Sequence, residues 1–203
     1  MKVLLVSIVI ILVVGVYSKE SNEDKLMKLP GCEKINDFIG IPLTKCCESL
    51  PLIVEKEFYK DCIESCKSKD DFVAKRCCVT DCVLKAAKLV NETGYFDFEA
   101  SKTALNEKVS NDEKWVEVIK ESVETCKAEA PKQLEEWKKK GKLCDTGINM
   151  VSSHCIYRQL FFKCPTKTAS KECTDLEEFG KKCPIFPVPG RHQKKEDDAA
   201  KEE

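Results

Sequence analysis

The sequence predicts a single all-α domain, clipped by disulfides and delivered outside the cell. Three observations carry that prediction. Apolar residues recur at three- and four-residue steps, the pattern of helices with one buried face. No stretch alternates cleanly enough to make a sheet. Fourteen cysteines, an even number that permits complete pairing, all fall between Cys32 and Cys183. The 203 residues suit one domain of ordinary size. Eight glycines and eight prolines are too few for a loop-built knot or a low-complexity chain.

The export prediction rests on the first 18 residues. Met1-Lys2 precedes VLLVSIVIILVVGV, and Val16 and Ser18 supply the small residues of a cleavage site after Ser18. That apolar run is shorter than the roughly 20 residues of a spanning helix, so it reads as a signal peptide and not an anchor. Secretion follows, and with it an oxidising environment in which cysteines are disulfides. Lys+Arg number 34 against 35 Asp+Glu. Without a basic surplus to displace counterions, nucleic acid is excluded as the main partner.

Residues 19–183 form the predicted domain, opening on a polar arm that ends at Pro30-Gly31. A short helix and a clipped loop follow over residues 37–51, and a helix over 52–67 with Phe58, Cys62 and Cys66 four apart. Asp70 or Asp71 caps the next helix, whose apolar positions run Phe72, Val79, Val83 and Val90. Gly94 offers it a left-handed exit. Asp97 caps a helix over FEASKTAL. Trp115, Val118, Ile119, Ser122, Val123 and Cys126 then form a stripe along a helix at 112–129, and Pro131 is expected to open a separate one ended by Gly141. Over residues 145–162 the apolar residues spread around the whole circumference, which marks a buried central helix. Pro165 ends it near Lys163. A short helix follows at 174–181, and residues 184–203 are predicted to be a disordered polar tail.

Cys62 and Cys66, like Cys78 and Cys82, are four apart, so each pair lies on one helix face. Each such pair is expected to staple its helix to two different elements. Adjacent Cys46-Cys47 and Cys77-Cys78 also call for separate partners, because a ring closed between neighbours is strained. Cys155 and Cys164 should bond to opposite sides of the central helix. Sequence alone leaves the connectivity of seven bridges open. Zinc would need reduced thiolates at tighter spacing, so no metal or other cofactor is expected.

The spacing Cys78-x3-Cys82, 43 residues to Cys126, 17 to Cys144, 10 to Cys155 and 8 to Cys164-Pro165 resembles the insect odorant-binding proteins. The extra Cys144, the proline after Cys164, and Cys173 and Cys183 resemble their Plus-C subfamily, and GYFDFEASKTAL at 94–105 is similar to the middle of ordinary members. The resemblance implies a compact array of six or more helices around an apolar cavity. It also implies bridges Cys78–Cys155 and Cys126–Cys164, with Cys82 bonded to Cys46, Cys47 or Cys62. The function implied is a secreted, olfactory carrier of odorants, pheromones or other lipophilic semiochemicals. A chemosensory receptor and a second copy of the chain are its candidate protein partners. The alternative is a secreted cysteine-rich interaction or structural protein whose cavity is filled.

Catalysis finds little support. A secreted phospholipase would need a histidine and an aspartate on its cysteine-bearing helix, but here CCVTDC offers Asp81 alone. There is no G-x-S-x-G elbow, and His154 and His192 are the only histidines. The expected ligand lining is Phe96, Trp115, Ile119 and Val123 with Ile148, Val151, Phe161 and Phe162 from the central helix. Asn91-Glu92-Thr93 is an N-glycosylation sequon.

Overall fold

The computed structural model describes residues 31–38, 41–54, 56–69, 72–110, 112–140 and 144–183. The leader, the polar arm up to Pro30, the Asp70/Asp71 cap and the tail at 184–203 lie outside the described residues. Among the described residues eight helical segments follow one another: α1 (Ile35–Phe38), α2 (Leu43–Cys46), α3 (Lys56–Ser65), α4 (Phe72–Ala86), α5 (Phe98–Lys108), α6 (Glu113–Lys140), α7 (Gly147–Phe162) and α8 (Lys171–Lys182). Pairing of extended backbone among the described residues is limited to isolated bridges at Cys47–Lys167 and Val90–Phe96.

The arrangement follows from α7. Apolar on all sides, it buries twelve of its 16 residues and sits between α4 and α6. α5 packs against α6, and α3 against α4. α8 closes the layer formed by the first turns, stacking Phe179 on Phe38 with ring centroids 4.6 Å apart. Among the described residues no helix is long and apolar enough to cross a membrane.

Caps fix where the elements start. The Asp97 carboxylate accepts from Glu99 N and Ala100 N at 3.0 and 2.9 Å, which starts α5 as expected. Asp112 does the same for α6 through Lys114 N and Trp115 N. Ser170 accepts from Cys173 N and starts α8 three residues before the expected Thr174.

Two element boundaries differ from expectation. α4 stops at Ala86, and Lys88, not Gly94, takes the left-handed turn at φ 58°. Leu89 N donates to Leu84 O at 2.8 Å and Lys88 N to Lys85 O at 3.0 Å, the double closure that ends a helix with its last carbonyls satisfied. Buried Leu84 and Leu89 make this early exit worth taking, and Val90 becomes part of an extended turn. Pro131, in turn, opens no new helix: α6 runs through it for 28 residues. Trp115, Ile119, Val123, Cys126 and Ala130 are buried, and Trp137 packs on the core, so the stripe continues in phase past the proline. Pro131 itself is exposed, where water can take the carbonyl it leaves unbonded.

All fourteen cysteines are paired: Cys32–Cys183, Cys46–Cys173, Cys47–Cys164, Cys62–Cys82, Cys66–Cys78, Cys77–Cys144 and Cys126–Cys155. The bridges Cys78–Cys155 and Cys126–Cys164 implied by the resemblance are not formed. The reason lies in α3. Its Cys62 and Cys66 face Cys82 and Cys78 of antiparallel α4, so both i,i+4 pairs clip the same two helices instead of reaching two neighbours. With Cys78 taken, Cys155 bonds to Cys126, and Cys164 turns to Cys47. The adjacent cysteines do serve separate partners, and α7 is anchored before its start, at its middle and after its end through Cys144, Cys155 and Cys164.

Candidate ligand site

The residues expected from the sequence to line a ligand lie on α6 and α7, apart from Phe96 just before α5. Phe96, Trp115, Ile119, Val123 and Phe161 belong to one buried apolar cluster, and Phe162 packs against it. Val151 is fully buried outside that cluster, and Ile148 is half-buried. The structure thus brings five of the eight together. Leu105, Ile156 and Leu160 stand in the same cluster and were not among the expected lining residues, although Leu160 and Ile156 follow the α7 spacing that marks its other apolar positions. Phe161 and Phe162 meet edge to face at 5.9 Å, and the Arg158 guanidinium lies 5.4 Å over the Phe162 ring.

Two surface clefts reach toward this cluster. The larger, about 590 Å³, is lined by Glu48, Ser49, Leu50, Pro51, Leu52, Glu57 and Lys108. The Trp115 indole donates to Ser49 Oγ at 3.1 Å, and Ser49 also shares a 2.9 Å bond with Thr166, so the indole stands one residue behind this cleft. The smaller, about 190 Å³, has Phe161 in its wall, with Lys167, Thr168 and Glu177 at hand. Bonds from Lys167 and Lys181 to Glu177, at 2.8 and 2.9 Å, hold its carboxyl below the usual range.

Some polar groups inside the domain are tied down, while the buried Ser122 Oγ, Ser152 Oγ and Asn106 Oδ1 have no hydrogen-bond partner among the described residues. Fully buried Asn149 accepts from Phe96 N at 2.7 Å and donates to Gly94 O at 3.0 Å and to Asp81 Oδ1 at 2.8 Å. Thr146 donates to the other oxygen of Asp81. Asp81 thereby joins α4, the 91–96 turn and the start of α7, a positioning role. Burial pushes the Tyr157 phenol far up, the neighbouring Tyr59 adding to it and the backbone at Val54 and Ile53 pulling back. Tyr59 is raised too by burial, against the pull of Arg76. Both phenols stay protonated at neutral pH. Buried His154 meets Arg76 at 3.0 Å, and because a guanidinium only donates, its Nε2 accepts and the ring is neutral there. Among the described residues no group of three or more His, Cys, Asp or Glu side chains could hold a metal ion.

The described residues thus form a helical domain whose core is cross-linked by seven bridges. Residues 51–179 match the family model described as AgamOBP47-like, and the chain belongs to that family of insect odorant-binding proteins. The Plus-C pattern of its cysteines is consistent with this assignment. No curated protein matches the chain significantly. The family is one of carriers, not enzymes.

Proposed function

We propose that this chain is a secreted carrier of small apolar molecules such as odorants, pheromones or related semiochemicals, held against the cluster between α6 and α7. The observation that carries the reading is that five of the expected lining residues share the domain's apolar core, with a surface cleft beside Ser49, the partner of the Trp115 indole, and another lined by Phe161. The leader and the seven bridges support export. Burying a ten-carbon chain is worth roughly 8 kcal/mol at about 0.8 kcal/mol per methylene. Association and ordering costs remove much of that, so micromolar binding of several related ligands is expected. One observation favours the rival, a secreted interaction protein with a filled core: Trp115, Ile119, Val123 and Val151 are at most 1% exposed.

Fluorescence separates the two. A Trp137→Phe variant leaves Trp115 as the single indole, since the chain has two tryptophans. A carrier takes up an apolar probe, releases it to several volatiles, and shows shifted or quenched Trp115 emission. Absence of uptake supports the rival. Binding that leaves Trp115 unchanged and survives Phe161→Ala moves the ligand away from this cluster.

A further inference from the structure

The turn between α4 and α5 carries the chain's single Asn-x-Thr sequon, Asn91-Glu92-Thr93. Val90 and Phe96 pair across this turn, and the Asn91 N–H donates to the Tyr95 carbonyl at 2.7 Å. Gly94 makes the reversal at φ +82°, and a β-carbon there would meet nothing within 4 Å, so backbone conformation alone selects glycine. Successive residues of extended backbone point to opposite sides. Phe96 points inward and is buried, so its neighbour Tyr95 and the opposed Asn91 share the outer face.

Three donors converge on Asn91 Oδ1: Thr93 N at 3.0 Å, Thr93 Oγ1 at 2.7 Å and Tyr95 N at 3.0 Å. The amide is held by its oxygen, and among the described residues nothing hydrogen-bonds its Nδ2, the atom that bears N-linked sugars. Tyr95 is 48% exposed, one of two large hydrophobic side chains left so open among the described residues. Among the described residues nothing covers its open half. A sugar on the opposed Asn91 would, because its face of C–H bonds suits the electron-rich face of an aromatic ring.

We propose that Asn91 carries an N-linked glycan whose first sugar packs on Tyr95. The donor is a lipid-linked diphosphate oligosaccharide. Its anomeric C–O bond breaks with the electron pair leaving on the diphosphate, the Nδ2–C bond forms, and Nδ2 gives up one proton to base. No oxidation or reduction is involved. The turn then gains a cover for its one exposed ring, and the rest of the domain is untouched.

The test uses the full chain behind a proven secretion leader in insect cells, which makes it independent of whether residues 1–18 direct export. Intact mass of the secreted protein should fall by one whole glycan on treatment with a peptide N-glycanase. Asn91→Gln and Thr93→Ala should lack that mass, while Thr93→Ser, which keeps the hydroxyl, should retain it. Tyr95→Ala should lower the melting temperature of the glycosylated protein by about 2–4 °C and that of the enzymatically deglycosylated protein by less than half as much. A secreted wild-type protein without the glycan overturns the site. An equal loss in both forms overturns the packing on Tyr95.

Discussion

The α3–α4 pair has two bridges and a thin apolar contact, while α6–α7 has one bridge and much of the core. Among the described side chains of α3 only Cys62 is buried, with Cys66 buried just past its end; Phe58 and Tyr59 are half-buried, and Ile63 is 44% exposed. Its partner α4 keeps Cys77, Val83 and Leu84 inside. On α6, by contrast, Trp115, Ile119, Val123, Cys126 and Ala130 are all buried, and α7 adds Val151, Ile156, Leu160 and Phe161. Each buried aliphatic or aromatic side chain there is worth about 1.5–3 kcal/mol. The covalent links are densest where burial alone would not hold a helix. Burial and cross-linking substitute for one another within this one small domain.

The largest effects should come from the packed pair. Ile119→Ala is expected to cost about 2–5 kcal/mol in thermal or denaturant unfolding. Ile63→Ala, a change of the same chemistry on α3, should stay within about 0.5 kcal/mol. Equal losses would refute the contrast.

Cysteines give the next test. Removing Cys126–Cys155 by double alanine substitution should cost about 2–4 kcal/mol, as should removing both rungs of the α3–α4 ladder together. Either rung alone should cost less than half the pair, because the other still joins the same two helices at the next turn. The resulting coupling between rungs should be about 0.5–3 kcal/mol, with the α6–α7 bridge additive to both. Strict additivity of the rungs would show that each holds something of its own.

The smallest effect concerns the end of α4. Lys88→Gly should raise stability by about 0.5 kcal/mol, because glycine removes the left-handed strain of roughly 1–2 kcal/mol but adds chain entropy when unfolded. Lys88→Ala, which keeps the strain, should give no such gain.

Much of this architecture is legible in the sequence. The stripe from Trp115 to Cys126, the all-round apolarity of α7 and the Asp97 cap each follow from spacing or from a single side chain. What was not readable has physical reasons. A lysine at the left-handed position carries no local mark, so Gly94 drew the helix end that Lys88 makes. Pro131 misled because a local rule was outweighed by burial continuing in phase on both sides of it. The bridges were undetermined because Cys62 and Cys66 fit an antiparallel partner in either of two ways, and the resemblance assigned Cys78 elsewhere. The α6 part of the apolar cluster could be named from periodicity, while Asn149 could not, since a polar residue in a helix gives no sign that it will be buried.

One bridge has a mechanical consequence. Cys32 and Cys183 are 151 residues apart in sequence, yet their Cα atoms lie 4.6 Å from one another. Tension applied through the segments beyond these two cysteines would pass across a single sulphur–sulphur bond and bypass every helix between them. While that bond holds, about 500 Å of extended chain stays out of reach of the load. A reductant would release it, and the domain would change from a rigid link to one that yields by unfolding.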